Sequence, residues 1–185
     1  MPQSRQAITD PDDMHEMPIE VVQGAHVVAG AAGPELVATL GSCVAVCLYA
    51  PGLAIGGMSH IYRHVTDTPL GDGPLIAEIE ILVNHLMRQG ATRDALAAKV
   101  AGGAHVLGFG MSARKRHGTQ MSEAAMKYLA AERIPVTGAS VGGEVARRIR
   151  FQPWSGELFV TYVADAVDDT VEDAQDRPGN SPELF

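Results

Sequence analysis

Gly41-Ser42-Cys43-Val44-Ala45-Val46-Cys47-Leu48-Tyr49 decides the reading of the fold, because residues 44–49 are apolar at every position. A strand with one wet face alternates apolar and polar residues; an unbroken run reads as a strand covered on both faces. Working outward, residues 55–62 form a second such run beyond Pro51-Gly52. Upstream, residues 21–28 and 36–40 read as short strands separated by Gly30, Gly33 and Pro34. Downstream, Leu75, Ile76, Ile79, Leu82, Val83, Leu86 and Met87 recur at helical spacing, with Gly90 as the stop. Residues 98–100 read as a strand ending at Gly102-Gly103. Ser122 then stands as the cap of a second helix to about residue 132, burying Ala125, Met126, Leu129 and Ala130. Residues 148–152 and 157–162 flank Pro153-Trp154-Ser155-Gly156 as a terminal hairpin. The order strands, helix, strand, helix, strands is that of an α+β protein.

At 185 residues and 46% hydrophobic, the chain is long enough for one sizeable core. Residues 1–17 read as a flexible arm, 18–164 as the folded domain and 165–185 as an acidic disordered tail. The net charge is −8, and the tail alone holds seven acids and one base. The body is therefore close to neutral, and nothing in it suits a nucleic-acid partner. No basic-then-apolar leader opens the sequence, and no apolar run is long enough to span a bilayer. The expectation is a cytoplasmic protein without membrane insertion, its two cysteines reduced.

Cys43 and Cys47 lie four apart in a strand-like run, roughly 13 Å along the chain, too far for a disulfide. Without a second ligand pair they are also a poor zinc site, and no metal is expected. Cys47, inside the apolar run, reads as a small buried hydrophobe. Cys43 follows the bend Gly41-Ser42, where the backbone amides of Ser42 and Cys43 are free to form an oxyanion hole. A thiol nucleophile needs a base. If the two apolar strands pair symmetrically about Pro51-Gly52, His60 stands directly opposite Cys43, with Cβ atoms roughly 4.5–5.5 Å apart. The histidines at 15, 26, 64, 85, 105 and 117 show no metal-ligand spacing.

These residues resemble a known family. Residues 40–49, Leu-Gly-Ser-Cys-Val-Ala-Val-Cys-Leu-Tyr, followed by Ile55-Gly56-Gly57-Met58-Ser59-His60, look like the signature of the CheD family. Fainter echoes are Lys99-Val100-Ala101-Gly102-Gly103-Ala104, Val141-Gly142-Gly143, and Arg147 to Phe151 with Ser155-Gly156. The resemblance implies mixed, sandwich-like sheets flanked by two main helices, a CheD-like cysteine hydrolase fold. It implies a protein-glutamine deamidase acting on the cytoplasmic domains of methyl-accepting chemoreceptors, with no cofactor. Cys43 would be the nucleophile, His60 the base, and the product a glutamate released from a thioester. A threonine completes the family's site; an ungapped alignment puts Val37 there, and Thr39 is the nearest hydroxyl. The chain also departs from the family pattern at Ile76, Gln120, Met121 and Glu144. The alternative within the resemblance is a catalytically weak adaptor that binds receptors or a CheC-type phosphatase. Among charged patches, Arg114-Lys115-Arg116-His117 reads as a solvated loop, and Arg148 and Arg150 as one exposed strand face.

Overall fold

The computed structural model describes residues 16–31, 33–62, 72–105, 113–163 and 183–185, the side chains of 113–117 and 183 excepted. The elements run β1 (Ile19–Glu20), β2 (His26–Ala29), β3 (Leu36–Leu40), β4 (Val44–Ala50), β5 (Ile55–Ile61), α1 (Gly73–Arg88), β6 (Ala97–Gly102), α2 (Ala113–Ala131), β7 (Val136–Val141), β8 (Arg147–Phe151), β9 (Leu158–Tyr162) and β10 (Glu183–Leu184). They make two five-stranded mixed sheets, an inner one ordered β2-β5-β4-β6-β7 and an outer one ordered β1-β3-β8-β9-β10. Both helices cover one face of the inner sheet, and the outer sheet covers the other. The protein is α+β, a sheet sandwich with two helices on one side.

Burial on both faces explains the apolar run. Val44, Val46 and Leu48 point to the helices, into a core with Leu75, Ile79, Leu82, Val83 and Leu86 of α1 and Met121, Ala125 and Leu129 of α2. Cys43, Ala45 and Cys47 point the other way, into a core with Leu36, Ala38 and Leu40 of β3, Ile149 and Phe151 of β8, and Leu158 and Val160 of β9. Each fully buried aliphatic side chain contributes roughly 1.5–3 kcal/mol, so both faces of β4 hold the layers together. A second tie joins the two helices. Arg93 donates to Glu80 of α1 at 2.7 Å and to Glu132 at 2.9 Å, and Tyr128 of α2 donates to the same Glu80. Burial pushes the Tyr128 hydroxyl up to about 12, and its bond to Glu80 adds to that.

Four expectations change. Residues 21–28 are not one strand, because the chain turns at Gln23-Gly24 between β1 and β2. Ser122 is not a cap. The second helix begins at Ala113, and Ser122 lies buried within it, its hydroxyl donating to the Thr119 carbonyl one turn back. Residues 114–117 are therefore helical in backbone, not a loop. β7 was unforeseen: its burial is broken, as befits an edge strand, and it pairs parallel to β6 across the α2 crossover. Arg148 and Arg150 do share the exposed face of β8. Of the acidic tail, residues 183–185 are described, and they add β10 to the edge of β9. The other tail residues and the arm up to residue 15 lie outside the described residues.

Candidate active site

Cys43 is fixed by the loop that follows β6. The Gly103 N–H donates to the Cys43 carbonyl at 2.7 Å, and the Ala104 N–H to the Gly41 carbonyl at 2.8 Å. This approach requires glycine. Gly102 has φ +110°, and a Cβ there would stand 2.1 Å from the Cys43 carbonyl oxygen. The loop is braced in turn from β7: Gly142 N–H donates to the Gly102 carbonyl at 2.9 Å, and His105 N–H to the Gly143 carbonyl at 2.7 Å. Arg147, 2% exposed, locks that turn by donating to the Ser140 and Gly142 carbonyls and, at 3.0 Å, to the Ser140 hydroxyl.

Cys43 as a whole residue is 9% exposed. Burial pushes its pKa above the ordinary thiol range; a hydrogen bond from Gln23 and one from its own backbone amide pull it partly back. Gln23 Nε2 donates to Sγ at 3.4 Å. Ser42 is exposed in the bend beside Cys43.

His60 is 3% exposed and lies on the same sheet face, which looks toward the outer sheet. Its Nδ1 sits 2.8 Å from the Val21 carbonyl. A carbonyl only accepts, so Nδ1 carries the proton and Nε2 keeps its lone pair. Nε2 is buried with no hydrogen-bond partner among the described residues. The backbone of His60 is held as well, its N–H donating to Ala25 at 3.0 Å and its carbonyl accepting from Gly24 at 2.8 Å.

The register differs from the symmetric hairpin. His60 pairs with Ala45, and Ala50 with Ile55. The reversal occupies a 3-10 turn at Pro51–Leu53 plus Ala54 in the left-handed region at φ 50°, so its centre falls one residue later than Pro51-Gly52. Cys43 and His60 become diagonal neighbours, a relation with separations of roughly 7–8 Å and Cβ atoms somewhat closer than that, rather than the roughly 4.5–5.5 Å of directly opposed residues. Each residue keeps its face because the slip in pairing is two residues, the full side-chain period of a strand.

Thr39 is not brought to the thiol. On β3, Leu36, Ala38 and Leu40 face the core, and Thr39 is exposed on the opposite side, accepting from Arg148 at 3.0 Å. Val37 shares that outward side, largely covered. The group that orients the imidazole is the Val21 carbonyl, on a loop within residues 21–28 where a single strand was expected. The dipeptide Gln23-Gly24 was the available signal, since glycine there permits the third position of a tight turn. Among the other departures, Met121 is buried in the helix-side core and Ile76 packs against it, while Gln120 and Glu144 are exposed. Among the described residues no cluster of three or more His, Cys, Asp or Glu is placed to hold a metal, and no helix is long and apolar enough to cross a membrane.

A thiol and a tautomer-fixed imidazole on one buried sheet face are the equipment of nucleophilic acyl chemistry. Comparison with known proteins narrows the class. The family model for CheD chemotactic sensory transduction matches residues 77–162. The chain is 35% identical over 169 residues to the probable chemoreceptor glutamine deamidase CheD of Rhizobium leguminosarum bv. trifolii, covering 89% of this chain and 90% of that one. It is 39% identical over 152 residues to the protein of the same name from Acidiphilium cryptum, covering 79% and 78%. With that of Rhizobium etli it shares 38% over 143 residues, covering 75% and 76%. The chain belongs to the CheD family.

Proposed function

We propose that this chain is a chemoreceptor glutamine deamidase that uses Cys43 as nucleophile and His60 as base. The reading is supported by the relatives' names and, above all, by one observation: the Val21 carbonyl holds the His60 Nδ1 proton and leaves Nε2 unpartnered on the face that carries the thiol. Nε2 takes the Cys43 proton, and the thiolate attacks the carboxamide carbon of a receptor glutamine. The carbonyl pair moves onto oxygen, where the amide of Cys43, with that of Ser42 beside it, meets the charge. Collapse expels ammonia, which takes its proton from His60, and leaves a thioester. Water, activated by the same imidazole, releases glutamate and restores the thiol. The substrates are the cytoplasmic domains of methyl-accepting receptors, and the protein works in the cytoplasm.

The test is ammonia release from a receptor cytoplasmic fragment, with the converted glutamines mapped by peptide mass. Wild type should convert them, and Cys43→Ala and His60→Gln should not. Full conversion by Cys43→Ala would end the nucleophile assignment. Burial of the thiol, which keeps most of it protonated at neutral pH, favours a second reading, an adaptor that docks receptors or a CheC-type phosphatase. Binding of the receptor without conversion would decide for it.

A further inference from the structure

We propose that Gln23 is a further catalytic residue of this site, one N–H of its carboxamide holding the Cys43 sulfur and the other receiving the oxygen of the reacting carboxamide. The inference rests on the deamidase reading. Gln23 Nε2 lies 3.4 Å from Sγ, and a primary amide carries two N–H donors, so one remains for a second acceptor. When sulfur adds to the carbonyl carbon, the new C–S bond places the developing oxyanion on the atom adjacent to sulfur. A donor already resting on the sulfur is therefore close to the oxygen, beside the Cys43 amide. Donors so placed stabilise the tetrahedral state more than the ground state.

Gln23 is exposed, yet its backbone is not loose. Ala25 N–H donates to the Val22 carbonyl at 3.0 Å, closing a tight turn with Gln23 and Gly24 at its centre. Gly24 has φ +78°, the value a type II turn requires at its third residue, and a Cβ there would stand 3.0 Å from the Tyr62 ring. Val21, Gly24 and Ala25 all bond to His60, through its ring, its carbonyl and its N–H respectively. One five-residue loop thus sets the base and carries the amide that touches the nucleophile. A carboxylate at the same place would oppose the thiolate, so the amide is the chemistry the site needs.

The experiment uses the full chain with Gln23→Ala, Gln23→Asn and Gln23→Glu. The rate of Cys43 alkylation by iodoacetamide is measured against pH, alongside kcat and KM on a receptor fragment. Loss of the amide should move the alkylation midpoint upward, further in Gln23→Glu than in Gln23→Ala. In Gln23→Ala, kcat should fall about 10²- to 10³-fold with KM little changed. Coincident thermal melts confirm that the variants fold, and if Gln23→Ala melts early, Gln23→Asn, which keeps the amide on a shorter arm, decides. Unchanged alkylation midpoints, or an unchanged kcat, would overturn the proposal. So would conversion of Gln23 itself to glutamate in active wild-type protein, which would make it a substrate. If wild type converted no receptor, the deamidase reading would fall, and the alkylation profiles would still decide whether Gln23 holds the sulfur.

Discussion

Gly102→Ala tests the brace beneath the nucleophile. The new methyl would sit 2.1 Å from the Cys43 carbonyl oxygen and 3.1 Å from the Val44 Cα, both backbone atoms of the strand next door. Neither can rotate away, so β6 and β4 must part locally. The φ of +110° adds strain of about 1–3 kcal/mol for any side chain. Separation also endangers the Gly103 bond to Cys43 at 2.7 Å and the Gly142 bond to Gly102 at 2.9 Å. Each buried group left unmade costs roughly 1–3 kcal/mol. The total is on the order of 3–9 kcal/mol, a large share of the about 5–15 kcal/mol that holds a typical domain. Urea unfolding followed by circular dichroism should show the midpoint falling by about 1 M or more at unchanged slope, given slopes of about 1–3 kcal/mol per M. Gly52→Ala is the control: a Cβ there meets nothing within 4 Å, and the midpoint should hold or rise slightly. A Gly102→Ala protein that unfolds with wild type would refute the close approach of β6 to the nucleophile's backbone.

Thr39→Ala should leave deamidation unchanged and stability within about 0.5 kcal/mol, because the hydroxyl lies on an exposed face bonded to Arg148; a large loss of kcat would refute the site as drawn. Cys47 is wholly buried and its thiol is pushed far up. The unfolded chain ionises at roughly 8.5, so its contribution is full below that pH and is lost as pH rises toward the folded value. Cys47→Val should flatten the alkaline fall in urea midpoint, and an identical fall in both proteins would contradict this. Arg147→Leu should cost on the order of 3 kcal/mol by leaving the Ser140 and Gly142 carbonyls without their charged donor. A near-neutral urea midpoint would show that the turn stands without it.

The core was legible because periodicity reports burial. The run 44–49 could only be a strand covered twice, and the stripe from Leu75 to Met87 could only be one helix face. That Cys43 and His60 share one sheet face was legible for a related reason: a glycine-containing bend before a strand and a histidine in its partner strand constrain where the two can lie. What failed was arithmetic that depends on the exact turn. Ala54 in a left-handed conformation moves the reversal by one residue and the pairing by two, and nothing in Pro51-Gly52-Leu53-Ala54 announces it. Helix ends failed similarly, since Ser122 satisfies its hydroxyl inside a helix as readily as at a cap. Thr39 is only the hydroxyl nearest in sequence to Val37. In a strand that criterion cannot bring a residue to the other face, because positions two apart point the same way.

The supports of the site come from segments that carry no signal of their own. Val21 holds His60 with a carbonyl, Gly103 and Ala104 hold residues 41–43 with amides, and Gly142 holds Gly102 with another. Backbone groups are present at every residue, so sequence does not single them out; it marks them only through the glycines that let chains approach. This division has a consequence for the chemistry. Burial keeps the resting thiol protonated, and the nearby donors, Gln23 and the Cys43 amide, favour the ionised form. On the proposed mechanism they gain strength as charge appears on sulfur and then on oxygen. On the proposed deamidase reading, a site whose polar groups act in that way is quiet toward solvent and reacts once a carboxamide fills the space beside Cys43.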